Sequence, residues 1–224
     1  MVRLDTMLKK RYKNDYKIYS DLQYFANKTT IGRFLKPVFK DAYAACKVWL
    51  PYPRDFLLHL IPRGGVCGEI GVYDGVFSER ILRIVRPKTL YLVDPWVSEY
   101  NTGSKIDSQK LHDQRYHNVQ HKFKHLIESG VVKIMRSTSN EAVSRFPNKH
   151  FDFLYIDGDH SYEQVAQDLH NFFPKMKPGG FLCGDDYHYK SVKRAVDEFV
   201  HEQKLSLETK DEQFMIIIPT SKTL

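Results

Sequence analysis

Short apolar runs alternate with amphipathic segments along the chain from residue 64 onward. Apolar runs of roughly 4–8 residues predict buried strands, whereas apolar positions spaced three and four residues apart predict helices. The strands predicted in this way are residues 66–70, 89–93, 131–135, 151–156 and 181–183. The helices predicted between and after them are residues 76–85, 113–128, 139–146, 162–176 and 191–203.

Strands that alternate with helices predict a parallel sheet whose two faces are covered by the helices. Two further strands, residues 205–209 and 214–218, are too close in sequence for a crossover helix, so we expect an antiparallel hairpin. The predicted fold is therefore α/β, a Rossmann-like doubly wound sheet that is mostly parallel with its last strand reversed. In such a sheet the ligand site lies at the carboxyl ends of the strands. We expect one cleft, lined by the loops that follow Ile70, Val93, Met135, Ile156 and Cys183.

The net positive charge of the chain comes from its first part. Residues 1–63 hold 13 Lys and Arg against 5 Asp and Glu, whereas residues 64–224 hold 21 against 22. This composition boundary predicts a basic helical N-terminal extension, residues 1–63, before an α/β domain of residues 64–224. Its amphipathic segment at residues 38–50 predicts a helix, and the extension could act as a lid, an oligomer arm or a membrane-surface helix. A basic arm can also attract anionic partners such as nucleic acid, or it can be an ordinary solvated surface.

The overall composition is that of a globular protein, with 42% hydrophobic and 27% charged residues. The chain has three cysteines that are far apart in sequence, which is typical of reduced intracellular thiols. No apolar stretch is long enough to cross a bilayer, and residues 1–40 hold no signal-peptide pattern. We therefore expect a cytoplasmic protein without disulfides or transmembrane segments.

A glycine-rich turn at residues 68–75, with the sequence GEIGVYDG, joins the first predicted strand to the first helix. Its glycines allow a tight turn and a close approach of a ligand to the backbone. The spacing places Glu69, Gly71 and Gly75 in an E-x-G-x-x-x-G pattern rather than the G-x-G-x-x-G of dinucleotide sites. The acid before the first glycine of the turn favours a ligand with a cationic group over one with a diphosphate.

The second predicted strand ends at Asp94, which is followed two residues later by Trp96. A carboxylate at this position can accept hydrogen bonds from both hydroxyls of a ribose, and it can equally serve as a turn or cap residue. The indole of Trp96 can stack on an adenine or pack in the core. The sequence leaves both choices open.

Acidic residues follow two strands that we expect to be neighbours. Asp157 and Asp159 come after the fourth strand, and Asp185 and Asp186 come after the fifth. Carboxylates that converge in this way repel one another unless a cation joins them, and oxygen ligands suit Mg²⁺, Mn²⁺ or Ca²⁺. The sequence therefore predicts a divalent cation site. The alternative is that these acids cap the helices that follow.

The glycine turn, Asp94, Asp157 and the KPGG string at residues 177–180 resemble class I S-adenosylmethionine-dependent methyltransferases over residues 64–218. Three longer strings, DGDHSYE from residue 157, PKMKPGG from residue 174 and GDDY from residue 184, resemble the metal-dependent small-molecule O-methyltransferases. The most similar members are the macrocin-like and aminocoumarin-like enzymes that methylate sugar hydroxyls. The catechol-type enzymes share the layout more loosely.

This resemblance implies a seven-stranded sheet and assigns roles to particular residues. The residues implied in cofactor binding are Glu69, Gly71, Gly75, Asp94, Trp96, Ser137, Thr138 and Asp157. The residues implied as Mg²⁺ ligands are Asp157, Asp185 and Asp186. Family members use as the base either the acid at Asp159 or the histidine at His160, and this chain has both.

The implied activity is methyl transfer to a hydroxyl of a sugar, a glycoside or another vicinal diol, because adjacent hydroxyls can chelate one cation. Other functions remain open. The basic extension would suit an RNA or nucleotide methyltransferase, although its aromatic residues are not interleaved with basic ones. The chain could also be a non-catalytic partner subunit, a homo-oligomer, or an enzyme that uses the same fold and metal for a different reaction.

Overall fold

The computed structural model describes residues 54–98 and 108–220. The chain divides into two compact units, Met1–Leu60 and Ile61–Leu224. In the described part of the first unit, helix α1 spans Asp55–Leu58. The predicted helix at residues 38–50 and most of the basic extension lie outside the described residues, as does Cys46. No helix in the described ranges is long and apolar enough to cross a membrane.

The second unit is built on a seven-stranded sheet with the strand order β3-β2-β1-β4-β5-β7-β6. The strands are β1 Val66–Ile70, β2 Thr89–Val93, β3 Val132–Met135, β4 Phe151–Ile156, β5 Met176–Gly184, β6 Leu207–Lys210 and β7 Gln213–Ile217. The first five pair in parallel, and β7 runs antiparallel to both β5 and β6. The predicted parallel sheet and terminal hairpin are both confirmed.

The register of the sheet brings the carboxyl ends of the parallel strands to one edge. Ile70 pairs with Val93 and with Ile156, while Val93 pairs with Met135 and Ile156 pairs with Gly184. The five loops that follow these residues therefore start side by side, as expected for an α/β sheet.

The helices of the second unit lie between the strands in sequence. They are α2 Val76–Ile84, α3 Gln109–Lys122, α4 Lys124–Glu128, α5 Ser139–Ala142, α6 Tyr162–Phe172 and α7 Lys190–Gln203, with 3₁₀ turns at Val143–Arg145 and Phe173–Lys175. In α6 the buried apolar residues are Val165, Leu169 and Phe172, spaced four and three residues apart, so one stripe of the helix faces the core. The Ser161 side chain caps this helix by accepting a hydrogen bond from the Gln164 amide.

Three predicted helices have different limits in the structure. The helix predicted over residues 139–146 is α-helical only to Ala142 and continues as a 3₁₀ turn. The helix predicted to run to residue 176 ends at Phe172, because the 3₁₀ turn that holds Pro174 follows and Met176 pairs with Phe151 of β4. Residues 177–180, the KPGG string that directly follows the predicted helix, lie inside β5. The helix predicted over residues 113–128 starts at Gln109 and is interrupted at Phe123, which separates α3 from α4.

The core of the second unit is dominated by aromatic and aliphatic side chains, many of them from the central strands. Cys67 and Cys183 belong to this core and are fully buried free thiols. Burial raises the pKa of Cys67 to about 12 and also raises the pKa of Cys183. Neither thiol is suited to nucleophilic or redox chemistry in the folded protein.

Candidate active site

The turn after β1 presses directly against the loop after β4. Gly71 has a φ of +85°, and a Cβ atom there would overlap the carbonyl oxygen of Asp157 and lie 2.7 Å from Cα of Gly158. The Gly71 amide donates to Val93 O at 2.9 Å, and the Asp157 amide donates to Ile70 O at 2.7 Å. A side chain at Gly71 would therefore separate the two loops.

The other two residues of the glycine motif connect the turn to α2. Gly75 has a φ of +71° and precedes the first residue of α2, and a Cβ there would lie 3.0 Å from the Phe123 ring. The Glu69 carboxylate is 1% exposed and accepts a hydrogen bond from the Ser78 hydroxyl. Glu69 is thus tied to the helix that follows the turn.

The Asp94 carboxylate organises the loops around it. Its Oδ2 accepts hydrogen bonds from the amides of Val72 and Tyr73 at 2.9 Å each, and its Oδ1 accepts one from the Trp96 amide at 2.7 Å. These bonds give Asp94 the role of a turn residue. A carboxylate has about four acceptor positions, so a ribose contact stays a prediction that is compatible with these three bonds.

The indole of Trp96 is 1% exposed, and its Nε1 donates to Tyr73 O at 2.9 Å. Its ring centroid lies 5.0 Å from that of Tyr116 on α3. This placement is the one that core packing predicts. Stacking of Trp96 on an adenine stays a prediction.

The loop after β3 contains a buried hydroxyl without a partner. Thr138 caps α5, since its Oγ1 accepts from the Glu141 amide at 3.2 Å while the Glu141 carboxylate accepts from the Thr138 amide at 3.0 Å. The hydrogen bond from the Thr138 amide and, to a lesser extent, the Thr138 side chain lower the pKa of the Glu141 carboxyl group. The Oγ atom of Ser137 is buried and has no hydrogen-bond partner in the described part of the chain. A buried hydroxyl normally has a partner, so this atom suits a polar ligand.

Three of the predicted metal ligands converge. One carboxylate oxygen each from Asp157, Asp185 and Asp186 lies within 4.8 Å of the others. The pairing of Ile156 with Gly184 explains this, because it brings the ends of β4 and β5 together. Three carboxylate oxygens are a donor set that fits Mg²⁺ or another hard divalent cation.

A buried hydrogen-bonded chain supports one of these carboxylates. Asp185 Oδ1 accepts a hydrogen bond from the Gln213 amide group, whose oxygen accepts one from the Tyr155 hydroxyl. All three residues are less than 5% exposed. Residues that hydrogen-bond to a metal ligand without contacting the metal hold that ligand in its orientation. No sequence motif includes Gln213 or Tyr155. Their inward-facing positions on β7 and β4 are the only sequence signal that could have indicated a role in supporting the carboxylate cluster.

The two candidate bases have different surroundings. His160 Nδ1 lies 3.1 Å from Asp186 Oδ2, so this imidazole is in contact with the carboxylate cluster. Asp159 Oδ1 accepts a hydrogen bond from the Ser161 amide at 2.6 Å, in a turn that leads into α6. The structure therefore brings His160 to the cluster and gives Asp159 a structural contact.

Comparison with known proteins identifies the class. The model of a family described as methyltransferase domain matches residues 69–187, more than half of the chain. The chain belongs to this family, and its fold and family make it a class I S-adenosylmethionine-dependent methyltransferase.

Two curated relatives of unassigned function match the sequence. A protein of Acanthamoeba polyphaga mimivirus is 26% identical over 53% of this chain, and a protein of Sinorhizobium fredii is 26% identical over 67% of it. The chain spans 50% of the length of the first and 16% of the second.

Solved structures share the fold. The O-methyltransferase NovP matches with a TM-score of 0.52 and 22% identity, over 74% of this chain and 75% of its own. A Staphylococcus aureus protein described provisionally as a caffeoyl-CoA O-methyltransferase matches with a TM-score of 0.55 and 12% identity. The match covers 91% of this chain and 99% of that protein.

Proposed function

We propose that this methyltransferase transfers the methyl group of S-adenosylmethionine to a hydroxyl of a small molecule, with the help of a divalent cation. The observation that carries this proposal is the convergence of Asp157, Asp185 and Asp186 at the ends of adjacent strands. Three converging carboxylates repel one another, and a divalent cation held between them would remove this repulsion. A cation held there can lower the pKa of an alcohol, which is otherwise a poor nucleophile at neutral pH.

The cofactor would lie along the carboxyl edge of β1, β2 and β3. The turn that holds Gly71 and Gly75 would surround the methionine part, with Glu69 at the start of the turn. Asp94 would reach the ribose with its remaining acceptor position. The unpartnered hydroxyl of Ser137 would donate to the adenine. Thr138, which caps α5, would lie beside it.

The residues of the chain then have separate tasks. When bound, the cation supplies Lewis-acid polarisation of a hydroxyl, and S-adenosylmethionine supplies the methyl group. Asp157, Asp185 and Asp186 hold the cation. His160 takes the proton at Nε2, because Nδ1 is engaged by Asp186 and the other ring nitrogen is the one that can accept. Asp159 holds the start of α6 and thereby positions His160.

A vicinal diol, as in a sugar or glycoside, is the acceptor that this arrangement favours. Two adjacent hydroxyls would chelate a cation held by Asp157, Asp185 and Asp186, and this would limit the positions that the reacting oxygen can take. Productive transfer needs this oxygen and the methyl group to be aligned at roughly 3 Å. A monohydroxylated acceptor would lack the second contact and should react more slowly.

The first experiment is a calorimetric titration of S-adenosylmethionine into the purified chain, in Mg²⁺ and then in EDTA. We expect binding in both conditions. Release of S-adenosylhomocysteine is then measured with a panel of sugar and catechol diols, and we expect it to require the divalent cation. Absence of S-adenosylmethionine binding in both conditions would overturn the proposal.

A pair of variants tests the metal. Asp186→Ala should abolish methyl transfer and leave S-adenosylmethionine binding nearly unchanged, because Asp186 is assigned to the cation rather than to the cofactor. Glu208→Gln removes an exposed acid on β6 and is the matched control. Full turnover of Asp186→Ala in excess chelator would rule out the role of the metal.

A further inference from the structure

A second group of metal-ligating side chains lies beside the carboxylate cluster. Ligand atoms of Asp186, His188 and Glu212 all lie within 4.8 Å of one another. The imidazole Nδ1 of His188 is 3.8 Å from Asp186 Oδ1 and 3.8 Å from Glu212 Oε1. The other oxygen of Asp186, Oδ2, faces His160. Asp186 thus presents one oxygen to each of two histidines.

The backbone holds these ligands in place. The Tyr187 amide donates to Glu212 O at 2.9 Å, which joins the turn after β5 to the turn between β6 and β7. The Tyr189 amide donates to Asp186 O at 2.8 Å, and Asp186 has a φ of +59°. The Tyr189 ring packs on the His188 imidazole with a centroid distance of 4.1 Å. These contacts therefore hold the two turns that carry the three ligands, and the exposed side chains of His188 and Glu212 can still adjust.

The spacing of the three ligand atoms fits ion pairs of a protonated His188 with both carboxylates, and it also fits a cation held between them. At 3.8 Å the imidazole nitrogen is too far from either carboxylate for a hydrogen bond. Ligand atoms that surround one tetrahedral ion at about 2.1 Å are about 3.4 Å apart, so a small closing movement would bring these three into coordination. The side chains of His188 and Glu212 are 43% and 62% exposed, which allows the movement and leaves room for water as a further ligand.

We propose that Asp186, His188 and Glu212 form a second divalent cation site, distinct from the all-oxygen site of Asp157, Asp185 and Asp186. Its imidazole ligand favours a transition metal such as Zn²⁺ over Mg²⁺. Asp186 bridges the two sites, with one carboxylate oxygen for each. This inference goes beyond the proposed function, because it concerns a different ion on partly different residues, and cation binding alone tests it.

The test is a calorimetric titration of Zn²⁺ into the purified chain in saturating Mg²⁺, which occupies the oxygen site. We expect one Zn²⁺ per chain in the wild type. His188→Ala and Glu212→Gln should each weaken that binding at least about tenfold, the usual effect of losing a supporting metal contact. Both side chains are exposed, so neither variant should unfold the protein. Zn²⁺ should also raise the melting temperature of the wild type but not of these variants.

The matched control is His125→Ala. His125 also lies near a glutamate, with its Nδ1 3.5 Å from Glu128 Oε2, and its side chain is 95% exposed. We expect this variant to bind Zn²⁺ like the wild type. Equal Zn²⁺ affinity in the wild type and in His188→Ala would overturn the second site, and so would loss of the same affinity in His125→Ala.

A further variant separates this inference from the proposed function. Asp185→Asn should weaken Mg²⁺ binding and leave the Zn²⁺ affinity within about twofold, because Asp185 belongs only to the oxygen site. Thermal melts check that this buried variant is folded. Loss of Zn²⁺ binding in folded Asp185→Asn would show a single shared site and overturn the inference, while leaving Mg²⁺-dependent methyl transfer unaffected as a proposal.

Discussion

His160 Nδ1 lies 3.1 Å from Asp186 Oδ2, and the two residues come from the loops after adjacent strands β4 and β5. The carboxylate sets the imidazole orientation and favours a proton on Nδ1, which leaves Nε2 as the basic nitrogen. The contact therefore connects a predicted base to a predicted metal ligand. Neither the DGDHSYE string that holds His160 nor the GDDY string that holds Asp186 indicates this contact by itself.

Replacement of His160 tests which residue is the base. We expect His160→Ala to lower kcat by about 10²–10³-fold, within the range for loss of a general base, with little change in S-adenosylmethionine affinity. Asp159→Asn should have a smaller effect, because an amide oxygen can still accept from the Ser161 amide. The measurements are S-adenosylhomocysteine release and calorimetry. A larger kcat loss in Asp159→Asn would assign the base to Asp159 instead.

The series of buried hydrogen bonds from Asp185 through Gln213 to Tyr155 should control the affinity for the cation. Gln213→Leu removes the group that holds Asp185 Oδ1, and we expect Mg²⁺ binding about 10–100-fold weaker. Tyr155→Phe removes only the outer hydrogen bond and should have a smaller effect in the same direction.

The control for Gln213 is Gln203→Ala, at the end of α7, whose side-chain amide donates to Glu202. Isothermal titration with Mg²⁺ measures the affinities, and melting curves check the fold. Wild-type Mg²⁺ affinity in folded Gln213→Leu would contradict a positioning role.

Gly71 and Gly130 have similar positive φ angles, but only Gly71 is packed against other backbone atoms. Alanine at each position therefore separates the cost of left-handed backbone strain from the cost of a steric clash. Gly130 has a φ of +78°, and no described atom lies within 4 Å of the place that a Cβ would take, so Gly130→Ala should cost only the left-handed strain of about 1–2 kcal/mol. Gly71→Ala adds a clash with the backbone of Asp157 and Gly158. Overpacking costs a further 1–3 kcal/mol or so. Urea unfolding should show the difference, and S-adenosylmethionine binding should be lost only in Gly71→Ala. Equal destabilisation would mean that the two loops separate freely.

Asp168 gives stability a pH dependence that can be measured. It is 1% exposed on α6, and burial raises its pKa to about 6, although hydrogen bonds from Ser139 and Gln164 oppose the shift. The folded state therefore binds this proton more tightly than the unfolded chain, so the contribution of Asp168 to stability increases as the pH falls from about 6 to 4. A shift of this size corresponds to roughly 3 kcal/mol.

Asp168→Asn keeps an acceptor for Gln164 and removes the charge. Relative to the wild type, this variant should be more stable at pH 8 and should lose that advantage near pH 4. Urea unfolding at several pH values measures the difference, and Glu163→Gln on the exposed face of the same helix is the control. A difference that does not change with pH would show that Asp168 titrates normally.

The sequence by itself determined the order of strands and helices, because hydrophobic periodicity is a local property that follows from burial of one face. It also indicated the glycine turn and the acidic residues, because strand ends carry the ligand residues of an α/β sheet. It misjudged residues 176–180. The predicted helix ends at residue 176 and the next predicted strand starts only at residue 181, whereas pairing of Met176 with Phe151 makes residues 176–180 the first part of β5.

Only the tertiary structure decided which side chains meet. The register of β4 against β5 and of β5 against β7 brings Asp157, Asp185 and Gln213 together, although Asp185 and Gln213 are 28 residues apart. The contact of His188 with Glu212 depends in the same way on two turns joined by one backbone hydrogen bond. Such contacts depend on strand register and side-chain direction, which no local pattern specifies.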